Sequence, residues 1–514
     1  MRHCIKIFVF IVLIGSVVNA QTVTQQWAYP FQVANNGQRV FDMAIDDSSN
    51  VYICGNTQGN GLPGAFILKV SPGGTPRWFQ TYDTNQAASY YTVDVDDSGN
   101  VYCAGTAHEQ STNQTCLMAK YDLTGQLIWS DTLGQGNVAG VDNVSDQNGS
   151  IITLIANYNV TLQKVSGNSI VWQKQNDTAS SSYGLNPKFI QIDSAQNIYV
   201  GGDKTTSGDF RYFIKKFNSS GNLIWHKEFN PSGQNDVLLD MSVDRDGNVY
   251  LTGTINSSTN GLAIAKLDSS GNLRWSKAYT TNVSGPGGSA ISADTNGNVY
   301  VSFRAYSTIS SVNECQVLKY DSAGNFKWLS RMDTAQTSTG TDLSLDKVGD
   351  VYTTYVKKNP SSPPDYSTCK LLSSNGNVVW EIRYNGSTNN DDRPTKLLVD
   401  TSFSVFVTGT EVNSTIPFAT TIKYSQNVGI NELSPGSGIS YFPNPFSENL
   451  TITSKNGFHS ANLTLYNSLG EKVMEKSNSS GSQLNLSRNN LPAGIYFIRI
   501  TDGEKCFSGK VIIQ

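Results

Sequence analysis

The sequence is poor in charge, in histidine and in long apolar runs, and each shortage argues against a class of protein. Charged residues make up only 15% of the 514 residues, and the formal net charge is −4. Lys and Arg form no cluster, so the basic footprint of a nucleic-acid-binding protein is missing. The chain has 4 scattered histidines, which do not supply a His-rich metal centre. After residue 20 no apolar run is long enough for a membrane-spanning helix.

Cysteine is scarce as well, with 7 in the whole chain. Cys4 lies near the N-terminus, and the other cysteines lack the close paired spacing of a zinc site. Cys103 and Cys116 flank a predicted hairpin, where a disulfide could form in an oxidising compartment. Separate buried thiols are the alternative, and the sequence alone leaves both open.

Residues 1–20 have the pattern of a secretory signal peptide. Arg2 and Lys6 provide the positive end, and an apolar stretch follows from residue 7 to residue 18. Val18-Asn19-Ala20 is a small-residue cleavage site, so the mature chain is expected to begin near Gln21. The apolar stretch is too short for a membrane anchor.

The tryptophans recur at one point of a repeat of about fifty residues. They are Trp27, Trp78, Trp129, Trp172, Trp225, Trp275, Trp328 and Trp380. This period is typical of four-stranded propeller blades, each of which must stack on its neighbours to bury its faces. We interpret the tryptophans as packing residues between blades, with sugar stacking as the alternative role.

Residues 92–129 illustrate one repeat. Thr92–Asp96 alternates as a first strand, and Asp97–Asn100 forms a tight turn because Asp, Asn and Gly favour turn geometry. Val101–Gly105 is predicted as the second strand and Leu117–Tyr121 as the third. Leu127 begins the fourth strand, which contains the tryptophan.

The two ends of the repeat region predict how the ring closes. The eighth repeat stops after its third strand, Thr421–Tyr424, without a tryptophan, whereas Trp27 precedes the first repeat in the phase of a fourth strand. Residues near Thr24 to Pro30 should therefore complete the last blade, with Trp27 in the same blade as Asp400 and Lys423. Such closure removes open sheet edges. We predict an all-β chain with an eight-bladed propeller over residues 21–427.

The repeat also carries a family resemblance. Its motif, Asp-x-x-Gly-Asn-Val-Tyr followed by Lys-Tyr-Asp-x-x-Gly-Asn-x-x-Trp, resembles the bacterial beta-propeller repeats of the SBBP type over about residues 24–424. The resemblance implies the fold and no particular activity. The spacing from Asp122 to Trp129 is also similar to the tryptophan-docking turns of quinoprotein dehydrogenases. Those enzymes commonly carry an adjacent Cys pair, which this chain lacks, so we expect no cofactor.

Asp244–Asn248 looks like the start of a calcium-binding EF-hand loop. That loop needs a bidentate Glu six residues after its Gly, and Gly253 occupies this position. We therefore predict an ordinary turn here and no metal site.

The connections between strands predict two unlike faces of the disc. Turns between strands one and two, and between three and four, are short and repetitive; we call this side the short-turn face. The remaining connections vary in length and chemistry and form the variable-loop face, where binding is expected. Candidate contacts there are Tyr90, Tyr91, Tyr158, Phe210, Tyr212, Tyr306, and Tyr366 in the loop 359–366.

Residues 428–438 form a predicted linker, and residues 439–514 carry a different pattern without tryptophan. They closely resemble the type A C-terminal sorting domain of the Bacteroidota type IX secretion system. The residues that carry the resemblance are Pro443, Asn444, Pro445, Gly470, Gly494, Tyr496 and Lys510. The resemblance implies a small beta-sandwich and export through the periplasm and across the outer membrane, by the type IX secretion machinery.

These observations predict a secreted or surface-displayed propeller that acts as a binding scaffold for an extracellular protein or glycan. No catalytic residue is assigned. The alternative is a secreted polysaccharide hydrolase, which would need only two carboxylates on the variable-loop face.

Overall fold

The fold is known from a computed structural model, which describes 22 segments of the chain. They are residues 23–32, 37–58, 63–82, 87–109, 113–133, 138–146, 148–156, 159–167, 169–176, 184–206, 209–230, 235–256, 261–280, 287–307, 311–332, 337–358, 363–386, 390–413, 416–426, 439–467, 472–502 and 505–514. The predicted signal peptide and the predicted linker lie outside the described residues.

Seven blades consist of four consecutive strands each, and they follow a single N-terminal strand, β1 (Val23–Phe31), which belongs to blade 8. Blades 1 to 4 are β2 (Gly37–Ile45), β3 (Val51–Gln58), β4 (Ala65–Val70), β5 (Pro76–Tyr82); β6 (Ala88–Val95), β7 (Val101–Glu109), β8 (Asn113–Tyr121), β9 (Leu127–Leu133); β10 (Ala139–Ser145), β11 (Ile151–Ala156), β12 (Val160–Ser166), β13 (Ser169–Asn176); and β14 (Leu185–Ile192), β15 (Ile198–Thr206), β16 (Asp209–Phe217), β17 (Leu223–Phe229). Blades 5 to 7 are β18 (Asn235–Val243), β19 (Val249–Asn256), β20 (Gly261–Leu267), β21 (Leu273–Tyr279); β22 (Gly287–Ala293), β23 (Val299–Ser307), β24 (Val312–Tyr320), β25 (Phe326–Met332); and β26 (Thr337–Leu345), β27 (Val351–Lys358), β28 (Pro364–Leu371), β29 (Val378–Tyr384).

Blade 8 closes the ring with strands from both ends of the repeat region. It contains β30 (Arg393–Val399), β31 (Val405–Asn413), β32 (Ile416–Gln426) and β1, in the order β1-β32-β31-β30. In the antiparallel register Trp27 lies opposite Lys423. The predicted closure is therefore confirmed, and Val23–Gln426 forms one compact unit.

The first strand of each blade lies innermost, and consecutive first strands contact one another around the ring, from β2 through to β30 and back to β2. Most of these strands contain a β-bulge at the same height, as between Val40 and Asp42 or between Leu238 and Asp240. A bulge adds one residue and redirects the side chains beside it. The same kink thus recurs around the axis.

The tryptophans join each blade to the next. In six cases the indole Nε1 donates to a main-chain carbonyl in the following blade's turn between strands three and four, at 2.9–3.2 Å. The pairs are Trp27 with Pro72, Trp78 with Leu123, Trp129 with Gly167, Trp225 with Ser269, Trp275 with Ser322, and Trp328 with Ser373. Trp380 instead donates to the Gln426 side chain in the closing blade, at 3.1 Å.

The cores lie between blades rather than around a single centre. One core cluster combines Tyr250 and Leu262 of blade 5 with Val301 and Phe303 of blade 6. Buried thiols that form no disulfide join these clusters: Cys54, Cys103, Cys116, Cys315 and Cys369. Of the two alternatives left open for Cys103 and Cys116, separate buried thiols are confirmed, because Cys103 lies opposite Ala119 and Cys116 lies opposite Thr106.

The C-terminal unit is a five-stranded antiparallel sheet. Its strands are β33 (Ile439–Phe442), β34 (Asn449–Tyr466), β35 (Lys472–Ser487), β36 (Gly494–Asp502) and β37 (Lys505–Ile513). The long β34 pairs with β33 near its beginning and with β36 near its end, so one continuous sheet folds around the core. That core includes Phe446, Leu450, Leu463 and Ile498, all of them buried.

Candidate functional site

On the short-turn face, the Asp carboxylates in the turns between strands one and two accept hydrogen bonds from backbone amides of their own turns. Asp244 accepts hydrogen bonds from the amides of Asp246 and Asn248, at 3.0 and 2.9 Å, and from the Tyr250 hydroxyl at 2.8 Å. The equivalent Asp in every blade accepts from the amide four residues later. The EF-hand-like sequence is thus an Asx turn, in which the carboxylate replaces missing backbone partners.

A second set of carboxylates surrounds the axis. Asp42, Asp142, Asp240 and Asp342 follow the bulges of blades 1, 3, 5 and 7. Each accepts a hydrogen bond from a backbone amide of the next blade, at 2.8–3.1 Å. The donors are the amides of Val93, Ile190, Ile291 and Leu397. We call these four residues the axial aspartates; they tie successive inner strands together.

Lys396 occupies the same position in blade 8, and its Nζ lies 3.9 Å from a carboxylate oxygen of Asp42. The negative charges of four carboxylates raise the pKa of Lys396, so its ammonium group stays positively charged. Asp342 contributes most, followed by Asp42, Asp240 and Asp142. Withdrawal from water raises the pKa of Asp142 and that of Asp240 to about 7. Both carboxyl groups are thus held by backbone amides in surroundings that disfavour their charged form.

Three predicted surface aromatics are in fact fully buried, so their placement on the variable-loop face is wrong. Tyr90, Tyr212 and Tyr366 are each 0% exposed. The Tyr90 hydroxyl shares a 2.9 Å hydrogen bond with that of Tyr121, because Tyr90 precedes the bulge and faces the blade interior. Tyr212 packs edge-on against Phe229. Tyr366 was predicted in a loop, but β28 begins at Pro364 and carries the side chain inward.

The other predicted aromatics lie nearer the surface. Phe210 is 37% exposed at the start of β16, beside the connection between the second and third strands of blade 4. Tyr306 is half-buried near the end of β23, on the same face of the disc. Tyr158 lies outside the described residues.

Tyr91 is half-buried and has an aromatic partner that the sequence reasoning missed. Its ring meets the half-buried Phe41 edge-on, with centroids 5.3 Å apart, and its hydroxyl accepts a 3.2 Å hydrogen bond from Thr106. Phe41 and Tyr91 are the extra residues of two neighbouring bulges. Aligning the repeats on the residue before Asp42 and Thr92 would have found the pair.

Among the residues that carry the sorting-domain resemblance, Asn444 is hydrogen-bonded to the last strand, which contains Lys510. The Asn444 side chain donates to the Lys510 carbonyl at 2.9 Å and accepts from the Ile512 amide at 2.8 Å, between Pro443 and Pro445. The Tyr496 hydroxyl donates to a main-chain carbonyl at 2.9 Å, two residues before Gly494. Gly470 lies outside the described residues. The Asn444 side chain thus fixes the opening turn to the last strand.

Comparisons with known families agree with both parts of the chain. Residues 440–514 match the family described as "Secretion system C-terminal sorting domain", and residues 39–63 match "Beta-propeller repeat" of the SBBP type. A search of curated proteins finds no match.

A solved structure supports the propeller fold. Quinohemoprotein alcohol dehydrogenase from Comamonas testosteroni is 11% identical, with 84% of this chain and 80% of that chain covered and a TM-score of 0.51. At this identity the likeness concerns the fold alone. Sqt1 from Chaetomium thermophilum is 9% identical over 78% of this chain and 98% of that chain, with a TM-score of 0.49.

The fold and the C-terminal unit together define an exported β-propeller protein. More particularly, it combines SBBP-type propeller repeats with a C-terminal sorting domain of the type IX secretion system. That domain directs the protein to the cell surface or the medium, through the type IX machinery. No helix among the described residues is long and apolar enough to cross a membrane. Nor do those residues contain a group of three His, Cys, Asp or Glu side chains arranged to hold a metal ion.

Proposed function

We propose that this protein is an extracellular binding scaffold whose variable-loop face contacts a protein or a glycan. The observation that carries the proposal is how the repeated polar residues are used. The turn aspartates, the tryptophans and the axial aspartates are engaged in holding turns and joining blades. Residues that break the repeat lie mainly in the connections of the opposite face, and such loops on a rigid frame commonly bind ligands.

The exposed and half-buried aromatic residues suit either kind of ligand. Phe210 presents an exposed ring on the variable-loop face, whereas Tyr91 and Phe41 form a half-buried pair at the bulges of two innermost strands. Aromatic rings stack on sugars and also act as anchors in protein interfaces, since they bury a large area at low entropic cost. We assign Phe210, Tyr91 and Tyr306 as the candidate contacts.

The axial aspartates do not favour the alternative of a hydrolase. A pKa near 7 suits a general acid, but Asp142 and Asp240 each use both carboxylate oxygens for backbone amides. A carboxylate held in this way has an architectural role that catalysis would have to disturb.

A binding screen tests the proposal. The secreted protein is labelled and applied to a glycan array and to immobilised extracellular proteins of the producing culture, and each bound glycan is assayed for cleavage. Saturable binding without cleavage is the expected result. Cleavage that is lost in Asp142→Asn or Asp240→Asn would establish the hydrolase instead, and a complete lack of binding would refute the scaffold role.

A further inference from the structure

Blade 7 meets the closing blade at a pocket that contains three buried carboxyl groups. Asp365 lies at the start of β28, Asp392 immediately precedes β30, and Glu411 lies near the end of β31. All three residues are 0% exposed. We call this group the seam pocket; it lies at the edge of the sheets that leads to the variable-loop face.

Gly386 shows how close two of these carboxyl groups are. A Cβ atom added to Gly386 would lie 2.8 Å from Oδ2 of Asp392 and closer still to Oε2 of Glu411. Oδ2 of Asp392 and Oε2 of Glu411 are therefore less than twice 2.8 Å apart. The Gly386 amide also donates to Oδ2 of Asp392 at 2.8 Å, and the Asp392 amide donates to the Pro364 carbonyl at 2.8 Å. Asp392 thus ties the exit of blade 7 to the entry of blade 8.

The described charges around the pocket do not balance. Arg383 forms an ion pair with Asp365, whereas the charges that act on Asp392 are those of Glu411 and Asp365, both of them acidic groups. Asp392 faces Glu411 and Asp365, and the Tyr384 hydroxyl of β29 faces Glu411. Tyr366 of β28 faces both Glu411 and Asp392, whereas Arg383 of β29 faces Asp365 and Tyr424 of β32 faces the two tyrosines. The pKa of each of these tyrosines is raised by burial, so their hydroxyls stay neutral. Two neighbouring carboxylates buried together cannot both remain ionised without a counter-charge.

We propose that Asp392 holds a proton in the folded protein next to the carboxyl group of Glu411, and that this proton acts as a pH-sensitive latch at the seam between blades 7 and 8. Below neutral pH the protonated Asp392 carboxyl lies beside Glu411 without repulsion. At higher pH Asp392 ionises, repulsion between the two carboxyl groups weakens the contact between the blade 7 exit and β31, and the seam opens more often.

The direction of the pH effect follows from the folded and unfolded states. Burial first, and then the charges of Glu411 and Asp365, raises the pKa of Asp392 to about 7. An unfolded Asp titrates near 3.9. The latch is therefore at full strength below about pH 4, and its contribution disappears as pH rises through about 7.

Hydrogen exchange of the full chain at pH 5 and pH 8 tests the latch, with protection factors corrected for intrinsic exchange. We expect protection of β31 to fall on the order of tenfold to a hundredfold at pH 8, as one group with these pKa values allows. In β19 of blade 5 it should change much less. Asp392→Asn and, independently, Glu411→Gln should remove the β31 response. Asp142→Asn should leave that response unchanged, although the Asp142 carboxyl also titrates near 7.

Three results would overturn the proposal. They are a wild-type β31 whose protection does not change with pH, a response that persists in both neutral variants, and restoration of protection at pH 8 by added CaCl₂. The last result would show that the pocket takes a metal ion rather than a proton.

Discussion

Replacing Gly324 by Ala tests whether the tryptophans hold the blades together. Gly324 has φ +82° in the blade 6 turn, and a Cβ atom there would lie 2.8 Å from Cγ of Trp275. Gly349 is a matched control at φ +88°, where the nearest atom to an added Cβ is 3.8 Å away. Both glycines donate their amide to the carbonyl of the Asp three residues earlier, at 2.9 Å.

The structure gives the expected sizes. Left-handed backbone costs a side-chain-bearing residue about 1–2 kcal/mol, which both variants should lose. Gly324→Ala should lose about 1–3 kcal/mol more from overpacking. Trp275 cannot easily move away, because its indole donates to the Ser322 carbonyl at 3.2 Å. We therefore expect about 2–5 kcal/mol for Gly324→Ala and about 1–2 kcal/mol for Gly349→Ala, measured as unfolding free energies in urea.

A second substitution separates the clash from the backbone strain. In a Trp275→Leu background the smaller side chain removes the clash, so the two alanine variants should differ less than in the wild type. Equal losses for Gly324→Ala and Gly349→Ala in the wild-type background would refute this account of the docking.

Three further predictions concern the turns, the thiols and the sorting domain. Asp244→Ala should lower the unfolding free energy by about 2–4 kcal/mol, because several hydrogen bonds to one carboxylate disappear; unchanged urea unfolding would contradict the Asx turn. Alkylation of the native protein should leave the buried thiols unmodified, whereas alkylation in urea should modify them, as peptide mass spectrometry can show; native labelling would contradict their burial. Deletion of residues 439–514 should retain the propeller in the periplasm, as cell fractionation can show, and unchanged secretion would contradict the sorting role.

Much of the fold could be predicted because the same pattern of strand and turn residues recurs many times along the chain. The turn after Asp96 and the strand from Val101 follow from residue types alone, and Trp27 revealed ring closure because it is in phase yet ahead of the first blade. A local pattern that recurs in every blade averages out the ambiguity of any one segment.

The surface residues were harder to predict because burial depends on which way a strand faces. Tyr90 and Tyr91 are adjacent, yet the first is buried and the second is half-buried, since a bulge follows Tyr90. Bulges have no reliable sequence signal, and each bulge shifts the register of its strand by one residue. That shift decides whether a given side chain faces the core or the surface. The seam pocket was missed for a similar reason, because Asp365, Asp392 and Glu411 come together only when blades 7 and 8 meet.

The central claim, that the variable-loop face binds the ligand, is tested most directly by two exposed phenylalanines on opposite faces. Phe210 is 37% exposed beside a variable connection, and Phe326 is 53% exposed beside a short turn. With the ligand identified in the binding screen, Phe210→Ala should weaken affinity by about tenfold, as for a typical interface anchor. Phe326→Ala should leave the affinity unchanged. Loss of binding in Phe326→Ala with normal binding in Phe210→Ala would contradict the account.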